Sequence, residues 1–447
     1  MPEHNTIPEL ETEKAGRIAD EIMRPVRMNR GFVLWLGFLF VLLAICLMAY
    51  VMQLRNGLIV AGIRDFTSWG MYIANFVFFV ATSLVGMLIS CVLGLIGFKW
   101  ITPIARIAEI IAVAFAAVAG LVIISDMGRP DRLHYVIMFG RVQSPILWDI
   151  TVVTTYFVLS LLLWFLPMIP DLAVAKNRLK DKPAFLAGTY KVLSFKWFHH
   201  EEQYKILNQA VRILLILIVP TALAIHTVTS WLFASTPRTG WDSTNFGAYF
   251  VSGAFVAGTA ALVIAMFFFR TNYHFRHYIT DLHFERIGRL LFLVAVVYLY
   301  FNLNEYLVPA YKMKKFDAIH LHELFVGKHA LLYWCVQIAG LVLPVILLLF
   351  RKIRKPVPML IIAVIMFAAA WIKRLIIVAP PQAHPNLPVQ FVPEEWFVYR
   401  PTLIESGITL GSFVMVLIII TLLSKLFPVI PIVDTIREEN KNIASET

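Results

Sequence analysis

The sequence predicts an all-α polytopic membrane protein of about ten transmembrane helices, arranged as two parallel-repeat four-helix bundles plus two flanking helices. Three observations carry this. Apolar residues make up 59% of the 447 and charged residues only 15%, whereas a soluble domain carries about 25% charged residues. Mean hydropathy is +0.75. Apolar runs recur along the chain, each long enough at about 1.5 Å per residue to cross a hydrocarbon core of about 30 Å. Near-continuous runs such as Ile213–Ile225 and Leu341–Phe350 exclude membrane strands, which alternate over about ten residues.

Taken in order, residues 1–31 are polar and mixed in charge, too long a lead for a cleavable signal, so the first helix is itself the insertion signal. Span 1 lies near 32–52 and, with an outer loop, occupies 32–70. Span 2 (71–97) follows Trp69-Gly70, span 3 (104–125) ends at Asp126, and span 4 (147–169) opens after Ser144-Pro145. A basic 170–210 loop carrying Trp197, Phe198, His199 and His200 reads as an amphipathic surface segment. Span 5 (211–233) completes a first four-helix bundle at 71–233. Spans 6 to 9 (246–268, 288–308, 330–350, 357–378) form a second bundle at 246–378. An outer loop and span 10 (408–427) fill 379–427, and 428–447 is a tail.

Alternate sides of these spans carry twenty-two and eleven Lys and Arg residues. The richer side includes both termini, which predicts that both lie in the cytoplasm; a multi-pass protein of a bacterial inner membrane is expected. The net charge of +11 anchors this topology and contacts anionic lipid; it does not point to nucleic acid.

Cys46, Cys91 and Cys335 all fall within spans, and no CxxC or CxxCH occurs. The chain is therefore expected to hold no iron–sulfur cluster and no covalent haem. Of the twelve histidines only His226 lies well inside a span, which argues against the facing histidine pair of a b-type haem. Any electron acceptor must then sit on another subunit.

A weak internal repeat relates spans 2 and 6. At an offset of 177, Gly70 pairs with Gly247, Tyr72 with Tyr249, Phe78 with Phe255 and Thr82 with Thr259, and Arg106-Ile107 matches Arg286-Ile287 at an offset of 180. The copies are four spans apart and so run in the same direction. Chance similarity between apolar helices is the alternative.

Ionisable groups at membrane depth are costly and each needs a reason. Asp126, Asp149, His226, Glu305, Lys373, Arg374 and Glu405 all fall towards the outer half, and Glu109 is the buried acid near the inner half. The densest constellation joins spans 3 and 4: Ser125-Asp126-Met127-Gly128-Arg129-Pro130-Asp131-Arg132-Leu133-His134, then Ser144-Pro145-Ile146-Leu147-Trp148-Asp149. Gly128 and Pro130 turn the chain, and Pro145 suits the first turn of a helix, so His134 and Asp149 can converge at the outer membrane edge. A carboxylate early in a helix can share a proton with an imidazole. The competing interpretation is a salt-bridged interfacial turn with an ordinary interfacial histidine. An apolar slot with such a pair suits a quinol, whose oxidation releases two protons with two electrons.

Trp69-Gly70 opening a span, the Asp126-x-Gly128-Arg129-Pro130-x-Arg132 turn, and Ser144-Pro145 before Trp148 resemble the NrfD/polysulfide reductase (PsrC-like) membrane-subunit family. The segment Trp371-Ile372-Lys373-Arg374-Leu375-Ile376-Ile377-Val378-Ala379-Pro380, with His384-Pro385 and Ile404–Leu423, is similar to the ActC-type quinol-binding subunit of alternative complex III. The resemblance implies a quinol-binding subunit of a respiratory quinol:electron-acceptor oxidoreductase, inactive alone, oxidising menaquinol or ubiquinol at the outer face. It implies an iron–sulfur partner on that face, other membrane subunits including a paralogous one, haem c subunits and a terminal oxidase. Carried onto this sequence, His134 and Asp149 are the catalytic pair, and Asp126, Arg129, Trp148 and Trp69 shape the quinol pocket. Glu305, His226, Arg374 and Glu109 are candidates for a proton path, Arg374 resting on the ActC-type resemblance only. Proton translocation is suggested by the same resemblance.

His320, His322 and Glu323 do not have HExxH spacing and read as interface or cap residues, so no metal site is expected. Glu305, flanked by Asn302 and Asn304, is either part of a proton route or a snorkelling acid. The parallel repeat and scattered buried charges would also permit a secondary transporter, and a purely structural anchor is a third reading. A transporter should show broken helices with polar groups reachable from both sides; here the spans read as almost unbroken and the polar groups crowd one face.

Overall fold

Runs of apolar residues that satisfy their own backbone hydrogen bonds are the natural solution for a chain in lipid, and helices dominate the structure. This is a computed structural model, which describes residues 13–26, 29–93, 95–176, 184–236, 238–383 and 391–446. Among them ten helices are long and apolar enough to cross a membrane: Arg30–Asn56, Met71–Ser90, Thr102–Ser125, Pro145–Lys176, Glu201–Ala234, Phe246–Asn272, Asp281–Lys312, Ala330–Leu348, Pro356–Ala383 and Leu403–Leu426. They are spans 1 to 10 below. The sequence window for span 5 begins ten residues late because Glu201–Ala210 is polar, yet it continues the same helix. His384-Pro385 lies outside the described residues.

Span 2 packs on span 3, span 3 on span 4 and span 4 on span 5; span 6 packs on spans 7 and 9, and span 9 on span 8. Spans 2 and 6, the repeat-related pair, cross at the centre, while spans 1 and 10 pair with each other and seat span 10 on span 3. Small residues permit the closest approaches. A Cβ on Gly258 of span 6 would fall 2.9 Å from Val85 Cβ and 3.0 Å from the Thr82 carbonyl oxygen of span 2. Every residue from Met71 to Ser83 is buried, so span 2 is the axis of the molecule. Span 1 instead presents Leu34, Phe38 and Val41 outwards, which acyl chains solvate as readily as another helix does.

Two spans depart from the unbroken helices expected. Leu88–Leu93 and Cys335–Val342 are π-helical. In span 8 the cause is local: Pro344 has no N–H to return to the carbonyl of residue 340, and the Leu343 N–H reaches back to the Ile338 carbonyl. Gly340 allows the widened turn to touch span 9, since a Cβ there would lie 2.2 Å from Ala369 Cβ.

The end holding both termini is closed by polar contacts. Arg106 Nη1 lies 2.7 Å from Asp171 Oδ2, with both side chains almost fully buried. Arg106 also donates to the Pro428 and Ile430 carbonyls at 3.3 and 3.4 Å, and the Val433 N–H donates to Asp171 Oδ1 at 2.8 Å. Span 3, the end of span 4 and the C-terminal helix Ile432–Glu446 are thereby tied together. The helix Glu13–Ile22 turns Ala15, Ile18, Ala19 and Ile22 inwards and packs on the same C-terminal helix, with Lys14 Nζ 3.0 Å from Glu439 Oε2. The expected 170–210 surface segment is helical at Ile169–Lys176 and Ala184–Leu193. Its first part is largely buried as the continuation of span 4.

Candidate functional site

At the C-terminal end of span 3, Asp126 caps the helix. Its side chain is half-buried, with Oδ1 shielded and unpartnered. The connection then forms a 3-10 turn at Pro130–Arg132 and a short helix at Tyr135–Met138. Arg129 grips Asp131 through two bonds of 3.1 and 3.0 Å, and both residues are exposed, so this pair stiffens a surface turn. His134 is exposed, its ring edge-on to Tyr135 at 4.5 Å between centroids.

Pro145 starts span 4 as its sequence position requires. Trp148 faces outward and its indole N–H donates to the Val142 carbonyl. Asp149, one residue on, turns the opposite way and is buried. Its Oδ1 lies 2.6 Å from Thr229 Oγ1 on span 5, and the same hydroxyl lies 2.8 Å from the Ile225 carbonyl. Thr229 has one proton to give. If it serves Asp149, the carboxylate accepts; if it serves Ile225, a protonated Asp149 donates to the hydroxyl. The contact therefore suits either protonation state, which is what a proton acceptor needs. His134 and Asp149 are not joined by a hydrogen bond among the described residues.

The other candidates fall into three groups. Trp69 packs against Trp241 and Phe233, at 5.6 and 5.2 Å. Its backbone is pinned by Gln382, which accepts from the Trp69 N–H at 2.9 Å and donates to its carbonyl at 2.7 Å. Phe233 lies one turn beyond Thr229, so this aromatic cluster adjoins the Asp149 contact. His226, one turn before Thr229, is buried with both ring nitrogens unpartnered.

Between spans 7, 8 and 9 lies a denser polar group than the sequence suggested. Ser243 Oγ lies 2.9 and 2.7 Å from the two Glu305 carboxylate oxygens, and Asn245 donates to Glu305 at 3.4 Å. Lys373 is buried and donates to the Tyr306 hydroxyl at 2.6 Å, with the Tyr306 and Tyr333 rings 4.6 and 5.3 Å away. Arg374 is buried over Phe250 at 5.2 Å, its Nε and Nη2 unpartnered. A cavity of about 20 Å³ between Lys373, Arg374, Gln337 and Tyr298 has room for about one water. Glu109 lies apart from all of these, towards the other end, accepting from Ser90 at 3.0 Å.

Among larger spaces, a groove of about 630 Å³ runs between spans 5, 6 and 7, lined by Ser230, Ser243, Phe246 and Phe301 among others. Among the described residues no group of three or more His, Cys, Asp or Glu side chains could hold a metal ion. Thr229, Gln382, Trp241 and the tyrosines around Lys373 were not singled out from sequence. The only available signal was Thr229 sharing a helix face with His226.

The model of the family described as "Polysulphide reductase, NrfD" matches residues 59–386. The chain is 32% identical over 243 residues to a protein of Halobacterium salinarum described as a membrane subunit of a dimethyl sulfoxide reductase; the match covers 53% of this chain and 51% of that one. It is 24% identical over 395 residues to a subunit of the selenate reductase of Mesobacillus selenatarsenatis, covering 84% and 89% respectively. The chain thus spans about half the length of the first relative and most of the second. The family match runs from before span 2 to the end of span 9 and encloses both polar clusters just described; the chain belongs to the polysulphide reductase NrfD family.

Proposed function

We propose that this chain is the quinol-binding membrane subunit of a multi-subunit respiratory oxidoreductase. The observation that carries the reading is the family match over residues 59–386, supported by two relatives that are named as reductase subunits. Quinol loses two electrons and two protons in becoming quinone. In this reading Asp149 accepts one proton through its contact with Thr229, and His134, on the outer loop, accepts the other when quinol bridges the two. Trp69 flanks the ring, Trp148 braces the loop from its outward face through the Val142 carbonyl, and Asp126 and Arg129 hold the turn. The electrons pass to an iron–sulfur cluster on a partner seated over the outer loops.

The ActC-type resemblance extends the reading to menaquinol or ubiquinol as substrate and to an alternative complex III-like assembly. That assembly would include a paralogous membrane subunit, haem c subunits and a terminal oxidase. His226, Arg374 and Glu305 would then line a proton route from the outer half and Glu109 its inner end, coupling oxidation to proton translocation. The test is purification of the complex through a tag on this chain. Quinol-dependent reduction of an acceptor and an iron–sulfur partner identified by mass are expected. Transport of a solute by the chain alone in liposomes, without quinol activity in the complex, would favour the transporter reading.

The distribution of Lys and Arg supports a topology with both termini in the cytoplasm, and in this reading the protein lies in a bacterial cytoplasmic membrane. A protease-cleavable tag at either terminus should be protected in intact spheroplasts, and one inserted in the 234–245 loop should be cut. The opposite pattern would invert the topology and move the quinol site to the cytoplasmic face.

A further inference from the structure

A space larger than the groove between spans 5, 6 and 7 lies away from both polar clusters. A cavity of about 1040 Å³ lies between spans 1, 3, 6, 9 and 10 at the end that holds both termini. Its deep wall is aromatic, formed by Phe115, Phe367 and Phe413, and its mouth carries Arg24, Lys425 and His274; none of its lining residues is acidic. Arg24 is exposed. Lys425 Nζ is held at the mouth, donating to the Pro25 carbonyl at 2.7 Å and lying 5.3 and 5.1 Å from the Phe32 and Tyr273 rings.

The depth of the cavity identifies what it can hold. From Lys425 to Phe413 along span 10 is twelve residues, about 18 Å at 1.5 Å per residue. One leaflet of a hydrocarbon core of about 30 Å is about 15 Å. Trp35, Phe268 and Leu417 line the cavity and are also exposed, so it opens sideways to the bilayer as well as at the basic mouth. Its shape is that of one leaflet, apolar below and cationic at headgroup level. A quinol would need a proton acceptor near each of its two hydroxyls, and beside the single imidazole of His274 no carboxylate lines this mouth.

We infer that this cavity is a binding site for an anionic phospholipid, its acyl chain between spans 1, 6 and 10 and its phosphate at Arg24 and Lys425. Basic pockets between membrane helices are suited to such headgroups. The site is separate from the quinol reading and stands if that reading fails. It joins span 1 to both bundles, where direct helix contact is sparse.

The test uses the intact complex, purified in mild detergent and exchanged with phosphatidylglycerol or phosphatidylcholine, with retained lipid counted by native mass spectrometry. The parent complex should retain one phosphatidylglycerol in preference to phosphatidylcholine. Arg24→Gln should weaken retention roughly fivefold and Arg24→Gln with Lys425→Gln roughly thirtyfold, since each basic residue near an anionic surface contributes about a factor of five. Ala265→Trp, which fills the cavity and leaves both charges, should also abolish retention. Because Arg24 is exposed, its single variant keeps the test readable if the others assemble poorly. Equal retention of both lipids, unchanged retention in Arg24→Gln, or loss of a bound quinone instead of lipid in Ala265→Trp would overturn the assignment.

Discussion

Replacing Arg106 with Met should destabilise the protein by about 3–5 kcal/mol, the cost of leaving one member of a buried ion pair alone. The pair is shielded on both sides, with side-chain exposures of 3% and 2%. Removing the guanidinium strands the Asp171 carboxylate, whose other oxygen is committed to the Val433 N–H. It also frees the Pro428 and Ile430 carbonyls that lead into the C-terminal helix. The expected result is a lowered thermal midpoint and protease sensitivity beginning near residue 430. Arg106→Met combined with Asp171→Leu should recover part of the loss, because replacing both charges with apolar groups removes the stranded ion. An unchanged midpoint in Arg106→Met would mean that the pair does not hold this end together.

Much of the architecture was legible because the bilayer is an undemanding reader: it asks for length and apolarity. Runs such as Ile213–Ile225 locate a span without any knowledge of its neighbours. The beginning of span 5 was missed for the same reason, since Glu201–Ala210 is helical but polar and hydropathy marks only what lies in lipid. The π-helical stretch in span 8 depends on Pro344 together with a close neighbour at Ala369, and only the proline is visible in sequence.

The candidate site was legible as residues and less so as contacts. Asp149 stood out because a carboxylate inside an apolar helix is costly, but its partner Thr229 is eighty residues away, and nothing local announces it. His134 was marked by chemistry alone, and its exposure follows from the Tyr135–Met138 turn that carries it outward. Lys373 and Arg374 were visible as buried charges, whereas the tyrosines that surround Lys373 come from spans 7 and 8 and meet it only on folding.

Asp149→Asn should lower the quinol oxidation rate by roughly 10²–10⁴, the contribution of a positioned general base. The amide keeps the shape of the carboxylate and can still bond Thr229, so assembly should survive while proton acceptance is lost. His134→Ala should fall in the same range if quinol bridges the exposed imidazole and the buried carboxylate. Arg129→Ala is the control, because its two bonds to Asp131 hold a surface turn and its loss should act on the amount of complex. Glu305→Gln distinguishes the alternative location, since Glu305 meets the groove of about 630 Å³ through Ser243. The decisive measurement is quinol oxidation per assembled complex in Asp149→Asn: a loss of at least a hundredfold with normal assembly is predicted, and normal turnover, above all if Glu305→Gln is inactive, would contradict a quinol site at spans 3 and 4.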